Sequence, residues 1–156
     1  MQEALKGLFS GRFGEPAVSC VPLKGDASNR KLFRLKGGAR SVIGAFGPDR
    51  RENRAFLAFS RHFRKEGLPV PEIYADDAEQ GVYLEEDLGD TTLFDLLSTQ
   101  RTKEGFPKSV IEAYRRTVRM LPRFQLLAGR TLDYALCHPR ASFDKQSMMW
   151  DLNYFK

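Results

Sequence analysis

The sequence predicts an α+β domain, and three observations carry the prediction. Short runs rich in branched and aromatic residues come as a group of three near the start and as a pair in the middle. An amphipathic helical pattern separates the two groups, and beyond about residue 90 the apolar spacing is helical throughout. The 156 residues, 42% hydrophobic and 29% charged, describe an ordinary globular unit. At this length folding buries about 70% of the surface that the unfolded chain exposes, so neither a metal nor a cross-link is needed to hold a core.

The elements follow in order. Residues 2–9 place Leu5, Leu8 and Phe9 on one side of a short helix, with Gly11 and Gly14 as stop signals. Residues 17–24, 31–36 and 41–46 read as strands, the last two joined by a tight hairpin around Gly37 and Gly38, because paired glycines supply the positive φ that such turns need. Pro48-Asp49 opens a helix to about Glu66, with Phe56, Phe59 and Phe63 as its core stripe. Asp49 and Glu52 stand at capping-box spacing, and Gly67 followed by Pro69 and Pro71 ends it. Two more strands, 72–75 and 81–86, flank the turn 76–80. A short helix over 91–97 is capped by Asp90 or Thr91. A longer one starts with Pro107 at its first position and turns Val110, Ile111, Tyr114, Val118, Leu121 and Phe124 inward, with a kink at Pro122. The tail from Phe143 reads as a further helix, apolar and without a stop signal, so the chain is expected to be cut there, leaving a surface for self-association.

Charge narrows the function. The net charge of +5 first suggests a polyanion partner. Residues 1–66 carry 14 basic and 6 acidic groups, residues 67–100 none and 9, and residues 101–156 carry 11 and 5. A wholly acidic middle would repel phosphate along a continuous face, which argues against nucleic acid. Arg115, Arg116, Arg119 and Arg123 read as a solvated helix face with Glu112 at i,i+4 to Arg116. Two distant cysteines, Cys20 and Cys137, fit a reducing, cytoplasmic compartment and no structural zinc, and no apolar run is long enough for a membrane span.

The order of elements and three strings carry a family resemblance. GDASNRKLFRL (25–35), RENRAFLAFSRHFRKEGLPVPEIYADD (51–77) and above all GVYLEEDLGDTTLFDLL (81–97) resemble the aminoglycoside phosphotransferase and choline kinase-like family, which has the kinase fold. Within it the likeness is to bacterial cell-wall kinases of N-acetylmuramate and N-acetylglucosamine. The resemblance implies a small lobe built of a five-stranded antiparallel sheet and one packed helix over 15–88. A helix over 1–14 would precede it, and the hinge, connector and first helices of a large lobe would fill 89–156.

It also implies ATP and magnesium as cofactors and a small-molecule acceptor as partner. Gly25, Asp26, Ala27, Ser28 and Asn29 would cradle phosphates, with Arg30 or Lys31 adding charge; on composition alone the same stretch is a solvated loop. The third-strand lysine of the fold is missing near Ile43-Gly44-Ala45, with Gly44 at its expected position. Glu52 would be its helix carboxylate, although the capping-box reading competes. Glu85, Glu86, Asp87 and Leu88 would form the hinge, whose backbone meets the adenine edge, with Leu84 and Val42 at the ring. A catalytic loop H-x-D-x-x-x-x-N does not occur: His62 is followed by Phe63-Arg64 and His138 by Pro139-Arg140. The chain is therefore expected to be inactive alone, with no catalytic residue and no metal ligand of its own. The alternative is a non-catalytic, kinase-like binding module.

Overall fold

The computed structural model of the chain describes residues 1–24, 29–102 and 105–154. Helix α1 (Gln2–Phe13) precedes strands β1 (Ser19–Pro22), β2 (Lys31–Gly37) and β3 (Arg40–Phe46). Helix α2 (Arg50–Lys65) leads to β4 (Ile73–Asp77) and β5 (Val82–Glu86), and helices α3 (Leu93–Gln100), α4 (Lys108–Pro122) and α5 (Lys145–Tyr154) follow. The strands form one antiparallel sheet in the order β1-β2-β3-β5-β4. This is the α+β arrangement of a five-stranded sheet with helices that the sequence predicts. Among the described residues no helix is long and apolar enough to cross a membrane.

Strand alternation divides the core in two. Phe33 and Leu35 of β2, Val42 of β3, and Val82 and Leu84 of β5 point to one face, where they bury Leu5 and Phe9 of α1. Each such side chain contributes roughly 1.5–3 kcal/mol by leaving water. Two full turns of apolar contact explain why α1 runs on past Gly11 to Phe13. Gly44 belongs to this face: a Cβ built there would lie 2.6 Å from Leu35 Cδ1 and 2.9 Å from Leu5 Cδ2. Its missing side chain admits α1, so a lysine at this position would enter the α1 core. The β2–β3 turn places Gly38 at φ 53°, the left-handed conformation that a two-residue hairpin requires.

The opposite face holds Ala45, Leu57 and Tyr83, with Leu32, Phe56 and Ile73 around them. Here the expected phenylalanine stripe of α2 is displaced. Asn53, Ala55, Leu57 and Ser60 are its buried residues, and the phenylalanines sit at the flanks of that stripe. Phe56 instead packs beside Tyr83, with ring centroids 5.3 Å apart, and Phe63 packs edge-on against Phe124 at 5.2 Å. The first turn of α2 is fixed twice. The Asp49 carboxylate accepts from the amides of Arg51 and Glu52, and Asn53 Nδ2 donates to the carbonyls of Gly47 and Gly81 at 2.8 and 3.3 Å.

The helical part departs from expectation in three places. Thr92, not Asp90 or Thr91, caps α3, in a reciprocal box with Asp95; Asp90 is engaged by Arg34 instead. Pro107 is the N-cap of α4 rather than its first residue, and Pro122 closes the helix ahead of a π-helical turn, Arg123–Leu127. Of the apolar stripe of α4, Val110 is buried while Ile111, Tyr114, Val118 and Leu121 remain exposed. With Leu97 and Phe106, the residues Val110, Ile111, Tyr114 and Val118 line an open apolar groove of about 580 Å³.

The Asn53 clamp is a single-site stability test. Asn53→Ala leaves the Gly81 carbonyl without this donor and frees the first turn of α2, and is expected to lower the unfolding free energy by about 1–3 kcal/mol. Urea titration of the variant and the parent checks it.

Candidate functional site

The face that carries α2 also carries an arginine from just before β2. Alternation along β2 sets Arg30, Leu32 and Arg34 on this side and Lys31 with Phe33 and Leu35 on the other. Arg30 Nη2 pairs with Glu52 Oε1 at 2.7 Å. Its guanidinium lies over the Phe56 ring at 4.7 Å and near Tyr83 at 6.0 Å, and the Arg30 side chain is only 17% exposed. Weakly hydrated and planar, a guanidinium tolerates this half-buried aromatic seat better than an ammonium would. The capping-box reading of Glu52 is corrected here. Its amide does bond Asp49, but its carboxylate reaches Arg30 instead of the Asp49 amide. Burial pushes the neighbouring Tyr83 phenol well above its usual range.

Two residues along β5, Glu85 lies on the same face as Tyr83, opposite Ile43 of β3 and Ile73 of β4. Burial raises its carboxyl to about 7, against the lowering influence of Arg30. The resemblance placed this residue in the hinge, but only the strand register tells which of the adjacent glutamates faces α2. Glu86 belongs to the other side: its Oε2 accepts from the Glu72 amide at 3.2 Å and pairs loosely with Arg64.

The turn after β5 is held by a guanidinium fork. Arg34 Nε and Nη2 donate to the two oxygens of Asp87 at 2.8 and 3.0 Å, and its Nη1 and Nη2 donate to Asp90 at 3.0 and 2.8 Å. Ser41 Oγ and the Gly89 amide also donate to Asp87. Burial alone would raise the Asp87 carboxyl, but the hydrogen bonds from Arg34, Ser41 and Gly89 outweigh it and hold it at about 2. The Asp87 carboxylate is thus committed to the fold, while Leu88 beside it is 67% exposed.

Of the remaining candidates, Gly25, Asp26, Ala27 and Ser28 lie outside the described residues, and Asn29 is exposed just before Arg30. Lys31 is exposed on the α1 side of the sheet. Leu84 and Val42, considered for an adenine slot, are instead core residues under α1. Ile43 and Ala45 are the β3 residues on the α2 face, and Ala45 is fully buried, so the strand offers no open position for a lysine. His62 Nε2 bonds the Ala128 carbonyl at 2.9 Å and His138 Nε2 approaches Asp49 at 3.2 Å. Among the described residues no group of three or more His, Cys, Asp or Glu is placed to hold a metal ion.

The Asp87 fork has a pH signature. A carboxyl held below its unfolded value contributes stability that is present above about pH 4 and lost as pH falls toward 2. Asp87→Asn is expected to cost about 1.5–3 kcal/mol at pH 7 and to flatten the loss of stability between pH 4 and 2. Denaturation midpoints across that window check both.

The comparisons with known proteins agree with this architecture. Two curated N-acetylmuramate/N-acetylglucosamine kinases are similar to the chain. The one from Pseudomonas aeruginosa is 36% identical over 92 residues, 58% of this chain and 27% of the relative. The one from Pseudomonas putida is 33% identical over 113 residues, 70% of this chain and 33% of the relative. The aligned part thus spans about a third or less of the length of these relatives. The likeness to amino-sugar kinases carried by the strings 25–35, 51–77 and 81–97 is borne out. The model of the phosphotransferase enzyme family matches residues 19–154, from the first residue of β1 to the last of α5, and on that match the chain belongs to this family.

Proposed function

We propose that the chain forms the nucleotide-binding part of an ATP-dependent phosphotransferase that acts on a hydroxyl of an amino sugar or a related small metabolite. The observation that carries the reading is the Arg30–Glu52 pair, seated on Phe56 and Tyr83 on the sheet face beside α2. Phosphoryl transfer is catalysed mostly by positioning and by charge stabilisation, so it needs a fixed cation at the phosphates. In this chain β3 has no lysine to supply it, and Arg30 takes that part. Glu52 acts as a positioning residue, holding the fork of Arg30 toward the face. Asn29 and the backbone of 25–28 would complete the phosphate cradle, and the backbone of 86–88 would meet the base.

ATP, when bound, supplies the phosphoryl group. The arginine seat fits a polyphosphate, whereas the described residues offer no magnesium ligand set. We place helix 1–14, lobe 15–88 and segment 89–156 as successive parts. We place the protein in the cytoplasm on its two unpaired cysteines. The exposed apolar side chains of α5, Met148, Met149, Trp150 and Leu152, are offered as a self-association surface. The second reading is a non-catalytic binding module, favoured by the lysine-free β3.

Two measurements separate these readings. Calorimetric titration of Mg-ATP into the chain is expected to give saturable binding that Arg30→Ala weakens by about tenfold or more and Arg30→Lys weakens less, with Glu52→Gln in between. Absence of binding by the parent chain would overturn the nucleotide reading. Incubation with ATP and a panel of amino sugars should yield no product from residues 1–156 alone, and phosphorylation by a longer protein that contains them. Turnover by the chain alone would overturn its expected inactivity.

A further inference from the structure

Glu85 is a half-buried carboxyl that feels the charge of Arg30 only at a distance. Its neighbours across the strands are two isoleucines, Ile43 and Ile73, and among the described residues it has neither a hydrogen bond nor an ion pair. The charged and titratable groups around it are already committed. Arg30 is held by Glu52, Tyr83 is buried on the same strand, and Arg34, on the same face two strands away, is forked between Asp87 and Asp90. A carboxylate partly drawn out of water, with no donor among the described residues, costs free energy that water at its exposed side recovers only in part. An arriving ligand with an N–H donor would recover it.

Position says which part of a nucleotide that donor belongs to. Arg30 sits at the level of Tyr83, and Glu85 is two residues, about 7 Å, further along β5, next to the 86–88 turn. A nucleotide with its phosphates at Arg30 and its body along the strand carries its base to Glu85. Resting on the nucleotide reading above, we propose that Glu85 selects the nucleobase: its carboxylate accepts a hydrogen bond from the 6-amino group of adenine and rejects guanine, whose 6-oxo group meets it acceptor to acceptor. A site built around one hydrogen bond discriminates strongly, because the wrong ligand leaves a buried polar group unpaired.

The ionisation of Glu85 gives the selection a direction in pH. Above about 7 the group is ionised and can only accept, so adenine is favoured in full. Below it the protonated carboxyl can donate to a 6-oxo group, and guanine is admitted. The experiment is calorimetric titration of Mg-ATP and Mg-GTP into the parent chain, Glu85→Gln and Glu85→Asp at pH 8 and pH 6. The parent is expected to prefer ATP by about tenfold or more at pH 8, with a smaller ratio at pH 6. Glu85→Gln presents both a donor and an acceptor, and should bind the two within about twofold of each other at both pH values. Glu85→Asp keeps the charge but withdraws it by one methylene, and should fall between. If Glu85→Gln binds ATP with the parent's preference and pH response, the role of Glu85 is overturned while nucleotide binding stands. If the parent binds neither nucleotide, the nucleotide reading itself fails and this selection with it.

Discussion

The guanidinium of Arg34, forked between Asp87 and Asp90, is the joint on which the arrangement turns. It ties the middle of β2 to the point where the chain leaves the sheet for the helices, across β3. Because Asp87 takes two further hydrogen bonds, from Ser41 and Gly89, the turn has little freedom left. Capture of Asp90 by the same fork moves the cap of α3 on to Thr92, so one side-chain contact sets where the next helix begins. Position of the helical part relative to the Arg30 seat follows from that joint.

The fork also explains the odd distribution of charge. The acidic stretch 67–100 and the basic stretch 1–66 are partners in the fold: Arg34 with Asp87 and Asp90, Arg50 with Glu79, Arg61 with Asp76, and Arg64 with Glu72 and Glu86. Most of these pairs are exposed and worth little singly. Together they supply a register signal between the first half of the chain and the hairpin that docks on it. A positive surface for nucleic acid is reduced by the same pairing.

Much of this was legible in the sequence because it depends on local spacing. Alternation marked the strands, glycine pairs marked the β2–β3 hairpin, and the string 81–97 marked the strand, turn and helix that the family shares. What escaped depends on which way a side chain points. Gly44 and Ala45 are adjacent in sequence, yet one opens the α1 core and the other closes the α2 core. Arg30 and Lys31 are equally basic, and only register puts the first on the aromatic seat. Glu85 and Glu86 differ in the same way. For α2 the large rings misled, since the buried stripe is Asn53, Ala55, Leu57 and Ser60, while Phe56 packs to one side against Tyr83.

Asn53 carries a mechanical meaning beyond its hydrogen bonds. It bolts the first turn of α2 to the ends of β3 and of the β4–β5 turn, while the far end of the helix is tethered to the 3-10 turn Ala128–Thr131 through the longer lever of His62. A tilt of α2 therefore pivots about its first turn. Glu52, next to the pivot, stays in place against Arg30 while the His62 end travels. Displacements at the Ala128–Thr131 turn thus act on the far end of α2, whereas His138, 3.2 Å from Asp49, couples the later part of that segment to the pivot itself.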